Sequence, residues 1–293
     1  MNLKHVAYAE YLPEKRKRRR ANTVDGYLSA LRCHVVPKFG HREIEEITHE
    51  EIQEWVDGFE KPGAARKAFK TLRQVMRWTI RKYQLRIWDP TQGVELPRSR
   101  IYRPKTLTAN EVKTTLRGFW GHELEPTIIL SSCLGLRPGE AYALRWDRID
   151  MRTGAVRICE TLQQVGSLTY TYAPKTSKSD RVLYLPKFAL DRMKTIWRDR
   201  GKPKSRLIGD ATPQRASRAI KRHCRKESLP FVPMYNRRHS WATISIEGGA
   251  TIEAVAMMLG HTSIMTAYEH YIVQRDSVCK SVQSLFQSAI MSS

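Results

Sequence analysis

The chain has 293 residues, enough for two domains that each bury a core, and carries 51 Lys and Arg against 29 Asp and Glu. The net charge of +22 is spread along the whole chain, the footprint of a surface lying on a polyanion, with nucleic acid the first candidate. Scattered cysteines (Cys33, Cys133, Cys159, Cys224, Cys279), a basic start without an apolar h-region and no apolar run of membrane-spanning length argue against zinc, disulfides, secretion and membrane insertion. A soluble, cytoplasmic protein is expected.

Lys15 to Arg20 is an unbroken run of cations, read either as a mobile solvated arm or as a segment contacting a phosphate backbone. Thr23 is expected to cap a helix with apolar positions Val24, Tyr27, Leu28, Leu31 and Val35, ended by Pro37. Thr48 and Glu51 make a capping box for the next helix. A third helix is expected over about Ala64 to Tyr83. Its core stripe is Ala65, Ala68, Phe69, Leu72, Val75, Met76, Ile80 and Tyr83. On another face Arg66, Lys70, Arg73, Arg77 and Arg81 form a cationic ridge with no interleaved carboxylate. Such a ridge repels itself unless a polyanion lies against it, so DNA contact is favoured over a merely solvated face.

Asp89-Pro90 and Pro97 close this helical unit, giving a first domain of residues 1–97. Residues 98–107 read as a basic linker, with Arg103 and Lys105 placed to track a phosphate backbone. A second domain, 108–293, opens with a capping box of Thr108 and Glu111. A buried helix from Thr127 to Leu134 ends at Gly135. Pro138 suits the first position of the following helix, which puts Arg137 at its mouth and Glu140 one turn on. Strands are expected over 155–160, 167–173 and 181–185. The polar turn 175–180, with Lys175 and Lys178, joins the last two. Helices resume from about Lys187 and from Pro213.

The stretch from Tyr235 to Tyr271 carries the chemistry. Trp241, Ile244, Ile246, Ile252, Val255, Met258 and Leu259 follow helical spacing, and Gly248 and Gly249 punctuate the run. Two short helices thus bring Arg238, His261 and a tyrosine, Tyr268 or Tyr271, towards one place. Cationic forks, an imidazole and a phenol suit chemistry on a phosphodiester. Taken singly, each residue has a plainer reading. An Arg-Arg pair such as Arg237-Arg238 is usually a solvated face, a His after Gly is often a cap, and tyrosines at helical spacing are usually core. Their occurrence together, with an arginine and a lysine upstream, carries the case. The tail, 277–291, reads as an amphipathic helix that packs on its own domain or on a neighbouring subunit.

The boxes Leu134-Gly135-Leu136-Arg137-Pro138-Gly139-Glu140 through Leu144-Arg145-Trp146, the turn lysine Lys175, the run around Arg238, and Leu259-Gly260-His261 with Tyr271 resemble the tyrosine recombinases, or phage-integrase family. The resemblance covers essentially the whole chain. It implies a mainly α fold with a small antiparallel β-sheet: an N-terminal helical, SAM-like core-binding domain and an α+β catalytic domain that clamp DNA. It also implies site-specific recombination without metal or cofactor, for integration or excision of a phage or other mobile element. The tyrosine forms a 3′-phosphotyrosyl link, and the steps repeat through a Holliday junction.

By position, the resemblance makes Arg137 and Arg238 the phosphate clamp and Lys175 the general acid, with Lys178 the alternative. His261 becomes a hydrogen-bond donor to the phosphate, Glu140 a brace and Tyr271 the nucleophile, with Tyr268 the alternative. The implied partners are double-stranded attachment sites, three further copies of the chain in a tetramer on DNA, and directionality or bending factors.

Two departures stand out. Tyr235 occupies the place of the family's usual histidine, where a phenol donates a hydrogen bond but is a poor base. The chain also opens directly at the core-binding helices, so either it recombines simple sites or Met1 marks a truncated form. A type IB topoisomerase-like relaxing enzyme and a DNA-binding regulator with a decayed site are the competing readings.

Overall fold

The computed structural model describes residues 1–98, 104–173 and 180–260, together with Gln287. The chain divides into two compact units, Met1–Tyr102 and Arg103–Ser293. Among the described residues no helix is long and apolar enough to cross a membrane.

The first unit is built from helices. A helical turn at Leu3–His5 runs through a π-helical turn, Val6–Tyr11, into α1 (Leu12–Arg18), with Pro13 in its first turn. Lys15 to Arg18 are therefore the last turn of a helix and not a loose arm, and their charges face the negative end of its dipole. The next helix starts at Ala21, not behind Thr23. α2 (Ala21–Ala30) passes through a second π turn, Leu31–Val35, into α3 (Val36–Phe39), so Pro37 does not end it. Proline has no N–H to give, and its ring would strike the carbonyl four residues back. The wider turn, in which the Val36 N–H reaches the Leu31 carbonyl, takes up that mismatch.

α4 (His49–Asp57) begins at the expected Thr48–Glu51 capping box. α5 (Pro62–Tyr83) buries Ala65, Ala68, Phe69, Leu72, Val75 and Met76 in the core of this unit. Trp78 completes the buried stripe in place of Tyr83, and its indole N–H donates to Glu14 at 2.8 Å. Tyr83 is exposed and its hydroxyl donates to Glu10.

In the second unit, α6 (Ala109–Gly118) starts at the expected capping box of Thr108 and Glu111. α7 (Glu125–Leu134) is buried along almost its whole length, and α8 (Pro138–Ala143) follows it. Four short strands come next: β1 (Ala155–Ile158), β2 (Thr161–Val165), β3 (Leu168–Tyr172) and β4 (Arg181–Tyr184). The expected pairing of the last two strands across the lysine turn does not form. β3 pairs with β2, a strand not anticipated, and β4 pairs with β1, both antiparallel. Gly166 and Ser167 join β2 to β3, Gly166 at φ +60°, and so short a loop makes the adjacent strand the cheapest partner to reach.

α9 (Lys187–Asp199) and α10 (Pro213–Lys226) precede α11 (Met234–Glu247) and α12 (Ile252–Leu259). α7 packs on α8, α9 and α11, and α11 on α12, so the two helices of the Tyr235 stretch lean on the buried helix that leads to Arg137. Lys175, Lys178 and, Gln287 apart, the amphipathic tail lie outside the described residues.

Gly135 sets the joint between these helices. It caps α7 in the left-handed region at φ +59°, and a Cβ there would stand 2.7 Å from the Trp241 ring and 2.8 Å from the Leu259 side chain. Gly135→Ala therefore combines backbone strain with overpacking, and is expected to cost about 2 kcal/mol or more in urea denaturation. An unchanged midpoint would show that α7 is not pinned there.

Candidate active site

The site begins where α7 stops. Gly135 turns the chain, Arg137 becomes the N-cap of α8, and Glu140, at the third helical position, folds back on it. The Arg137 backbone N–H donates to Glu140 Oε2 at 2.9 Å and its Nη1 to Oε1 at 2.9 Å. From the first residue of β4, Arg181 Nη1 and Nη2 donate to the same two oxygens at 3.2 and 3.0 Å. Each carboxylate oxygen accepts two hydrogen bonds, which fills the group's acceptor capacity. Glu140 is only 6% exposed. Burial alone would raise its pKa, but the hydrogen bonds and charge of Arg181, with those of Arg137, hold it below the ordinary carboxylate value.

α12 delivers a second set of partners. The last carbonyls of a helix have no intrahelical donor and carry the negative end of its dipole. Here Arg181 Nε donates to the Met258 carbonyl at 2.9 Å, Arg238 Nη2 to Leu259 at 2.8 Å, and Arg137 Nη2 to Gly260 at 2.9 Å. Three arginines from three elements thus meet three successive carbonyls. Gly260, left-handed at φ +64°, turns the chain out of the helix at that point. Arg238 Nη1 also donates to the Gly135 carbonyl at 2.9 Å, so both ends of the joint hold the same guanidinium.

Of the residues expected at the site, Arg137, Glu140 and Arg238 are brought together. Tyr235 is on the first turn of α11, 50% exposed, with its ring edge-on to His239 at 5.0 Å between centroids. His261, Tyr268, Tyr271, Lys175, Lys178 and Arg103 lie outside the described residues. Lys105 is exposed; its carbonyl accepts from Asn236 Nδ2 at 3.0 Å, and the Leu107 N–H donates to Ser240 Oγ at 2.9 Å. The polar first turns of α11 thereby hold the entry to the second unit.

The cationic ridge of α5 is less open than its sequence suggests. Arg77 is paired with Asp89 at 2.8 Å, Arg66 Nε donates to the Pro97 carbonyl at 3.0 Å, and Arg81 Nε to the Arg77 carbonyl at 3.2 Å. Lys70 is exposed and Arg73 half-buried. No carboxylate is interleaved along the ridge itself, but Asp89 returns from beyond the helix end to neutralise one of its members.

Two arginines were not legible as what they are. Arg181 reads in sequence as an ordinary strand residue, since its partner Glu140 lies 41 residues upstream. Arg237 is not part of a solvated face: it is 1% exposed, its Nη1 has a long 3.3 Å contact to Ser132 Oγ, and its Nε and Nη2 find no acceptor. Burial pulls its pKa down, opposed weakly by Cys224 and Tyr142. Among the described residues no group of three or more His, Cys, Asp or Glu could hold a metal ion.

A family model described as "Phage integrase family" matches residues 125–277, more than half of the chain. The chain belongs to the phage integrase family. A second model of that family, its N-terminal SAM-like domain, matches residues 7–59. A "Tyrosine recombinase XerC-like" protein of Caldanaerobacter subterraneus is 24% identical over 62% of this chain and 54% of its own length. The integrase of Mycobacterium phage D29 is 26% identical over 85% of this chain and 69% of its own. The chain thus spans about half of the first relative and two thirds of the second. In fold, this phage integrase family member resembles the Tn1549 transposon integrase solved with transposon right end DNA. The TM-score is 0.80 at 16% identity, covering 97% of this chain and 99% of that one.

Two stability predictions follow from the buried charges. Arg237→Met removes an unpaired buried cation and keeps an unbranched apolar stem in its place, so the unfolding free energy should rise by roughly 1–4 kcal/mol. A fall in the urea midpoint would reveal a partner for the guanidinium. Glu140 has a depressed folded-state pKa, so its contribution is complete above the unfolded value of about 4.5 and is lost as pH falls through the folded value. The stability gap between wild type and Glu140→Gln should therefore be flat above about pH 5 and close on further acidification. A gap independent of pH from 3 to 7 would contradict a paired carboxylate.

Proposed function

We propose that the chain is a site-specific DNA recombinase that breaks and rejoins duplex DNA through a 3′-phosphotyrosyl intermediate, in the service of a phage or other mobile element. The observation that carries this reading is the meeting of Arg137 and Arg238 at one helix end, immediately before His261 in sequence. Two guanidinium forks held side by side can grip both non-bridging oxygens of a phosphodiester. Each Nη carries two hydrogens, so a bond to a carbonyl does not exhaust the fork.

In this reading the phenolic oxygen of Tyr271 gives up its proton to solvent water as it attacks the scissile phosphorus. A new P–O bond forms, the bond to the 5′-oxygen breaks, and Lys175 gives that oxygen its proton. Arg137, Arg238 and His261 hold the equatorial oxygens while charge accumulates on them. Tyr235, exposed on the first turn of α11, adds a hydrogen-bond donor at the edge of the site. Attack by a partner strand's 5′-hydroxyl on the phosphotyrosyl bond reverses the step and rejoins DNA without an external energy source. The first unit and the 98–107 segment supply phosphate contacts through Lys70, Arg73, Arg81, Arg103 and Lys105, with Arg66 and Arg77 contributing what their internal partners leave. Exchange between two duplexes requires four copies of the chain, and accessory proteins set its direction.

Incubation with a nicked duplex carrying the target site, from which the cleaved fragment diffuses away, should leave the wild-type protein covalently joined to DNA. Tyr271→Phe should abolish the adduct, and Arg238→Gln should slow its formation by about 10²- to 10³-fold. Failure of the wild type to form any adduct while still binding the duplex would overturn the enzymatic reading. An adduct surviving in Tyr271→Phe would move the nucleophile to Tyr268.

A further inference from the structure

We propose that Arg181 is a positioning residue for the cleavage step: it keeps the Arg137 fork available to phosphate by occupying the carboxylate that would otherwise capture it. The inference rests on the recombinase reading above and deepens it. Glu140 is a buried acid with one guanidinium from its own helix mouth and a second from β4. The division between them is unequal. Arg181 places both Nη atoms on the two carboxylate oxygens, whereas Arg137 gives one Nη to Glu140 and the other to the Gly260 carbonyl. The Arg181 side chain is also the more buried of the two, 9% exposed against 37%.

A carboxylate and a guanidinium prefer the two-pronged arrangement. With Arg181 gone, Glu140 stays in its buried place, and the only described cation left beside it to answer its charge is Arg137. The Arg137 fork is then drawn into a full pair with Glu140 and turned away from the helix end. The electrostatic consequence has the same sign. Arg137, Arg181 and Arg238 with Glu140 leave a local excess of two positive charges, and loss of Arg181 halves it. Arg181 has a further hold: its Nε donates to the Met258 carbonyl, next to the Leu259 carbonyl that accepts from Arg238. It therefore ties the first residue of β4 to the helix end on which both gripping arginines rest, without itself being needed on the phosphate.

The test compares single-turnover cleavage of the nicked duplex by wild type, Arg181→Gln, Glu140→Gln, the double variant and Arg181→Lys, with duplex affinity measured alongside. Arg181→Gln is expected to cleave about 10²-fold more slowly with affinity within about threefold of wild type. Because the larger part of its effect runs through Glu140, the double variant should lose far less than the product of the two single losses. Arg181→Lys reaches one oxygen only and should recover part of the rate. Wild-type cleavage by Arg181→Gln, or a double variant whose loss is the product of the two single losses, would overturn the proposal. If Arg181→Gln does not fold, Arg181→Lys decides: slowed cleavage at unchanged affinity supports the role, and the wild-type rate removes it. A wild-type protein that forms no adduct would instead fail the recombinase reading itself.

Discussion

The second unit is organised around a buried carboxylate that cannot stay buried without its arginines. Transfer of an ionised acid from water to a protein interior costs several kcal/mol unless opposite charge and hydrogen bonds replace the lost hydration. Glu140 recovers that cost with four hydrogen bonds from two guanidiniums and one backbone N–H. The arrangement joins three distant parts of the chain: the turn after α7, the start of β4 and, through the same arginines, the last turn of α12. It also explains why the helix ends tightly at Gly260. Carbonyls that would otherwise seek water are held by guanidiniums.

A charge argument links this constraint to the proposed chemistry. A phosphodiester carries one negative charge, and its pentacoordinate state carries about two. A pocket whose described groups hold an excess of two positive charges complements the second better than the first, and only that difference accelerates a step. Glu140 is part of the tuning. Without it the arginines would repel one another and bind a ground-state phosphate more strongly, which does not by itself raise a rate.

What the sequence made legible was local. The Thr48–Glu51 and Thr108–Glu111 capping boxes, the Arg137–Pro138–Glu140 helix mouth and the glycine stops after Leu134 and Glu247 depend on residues within a turn of one another, and each stands where its residues place it. The β2–β3 hairpin had a local signal too, Gly166-Ser167 between two runs of strand-formers, but the glutamines of Thr161–Val165 obscured its alternation. Other features depend on partners far away. Nothing near Arg181 announces Glu140, and nothing near Arg77 announces that Asp89 will turn back to meet it. The helical start of the chain was hidden differently. Pro37 reads as a break, whereas it follows a widened turn that makes room for it, and Pro13 follows a like turn in which the Leu12 N–H reaches the Ala7 carbonyl.

The two adjacent arginines of α11 show how little residue type alone decides. One helical step, about 100°, separates them, and both are almost fully buried. Arg238 faces the helix end and the Gly135 carbonyl, where its donors have acceptors and an anion would find it. Arg237 faces the inside of the unit, towards Ser132, where two of its nitrogens have none. Its fork is therefore turned about 100° round the helix from the one that Arg238 presents at the helix end. A fork in reach of the anion, not the count of arginines in the motif, is what the geometry supplies, and Arg238 supplies it.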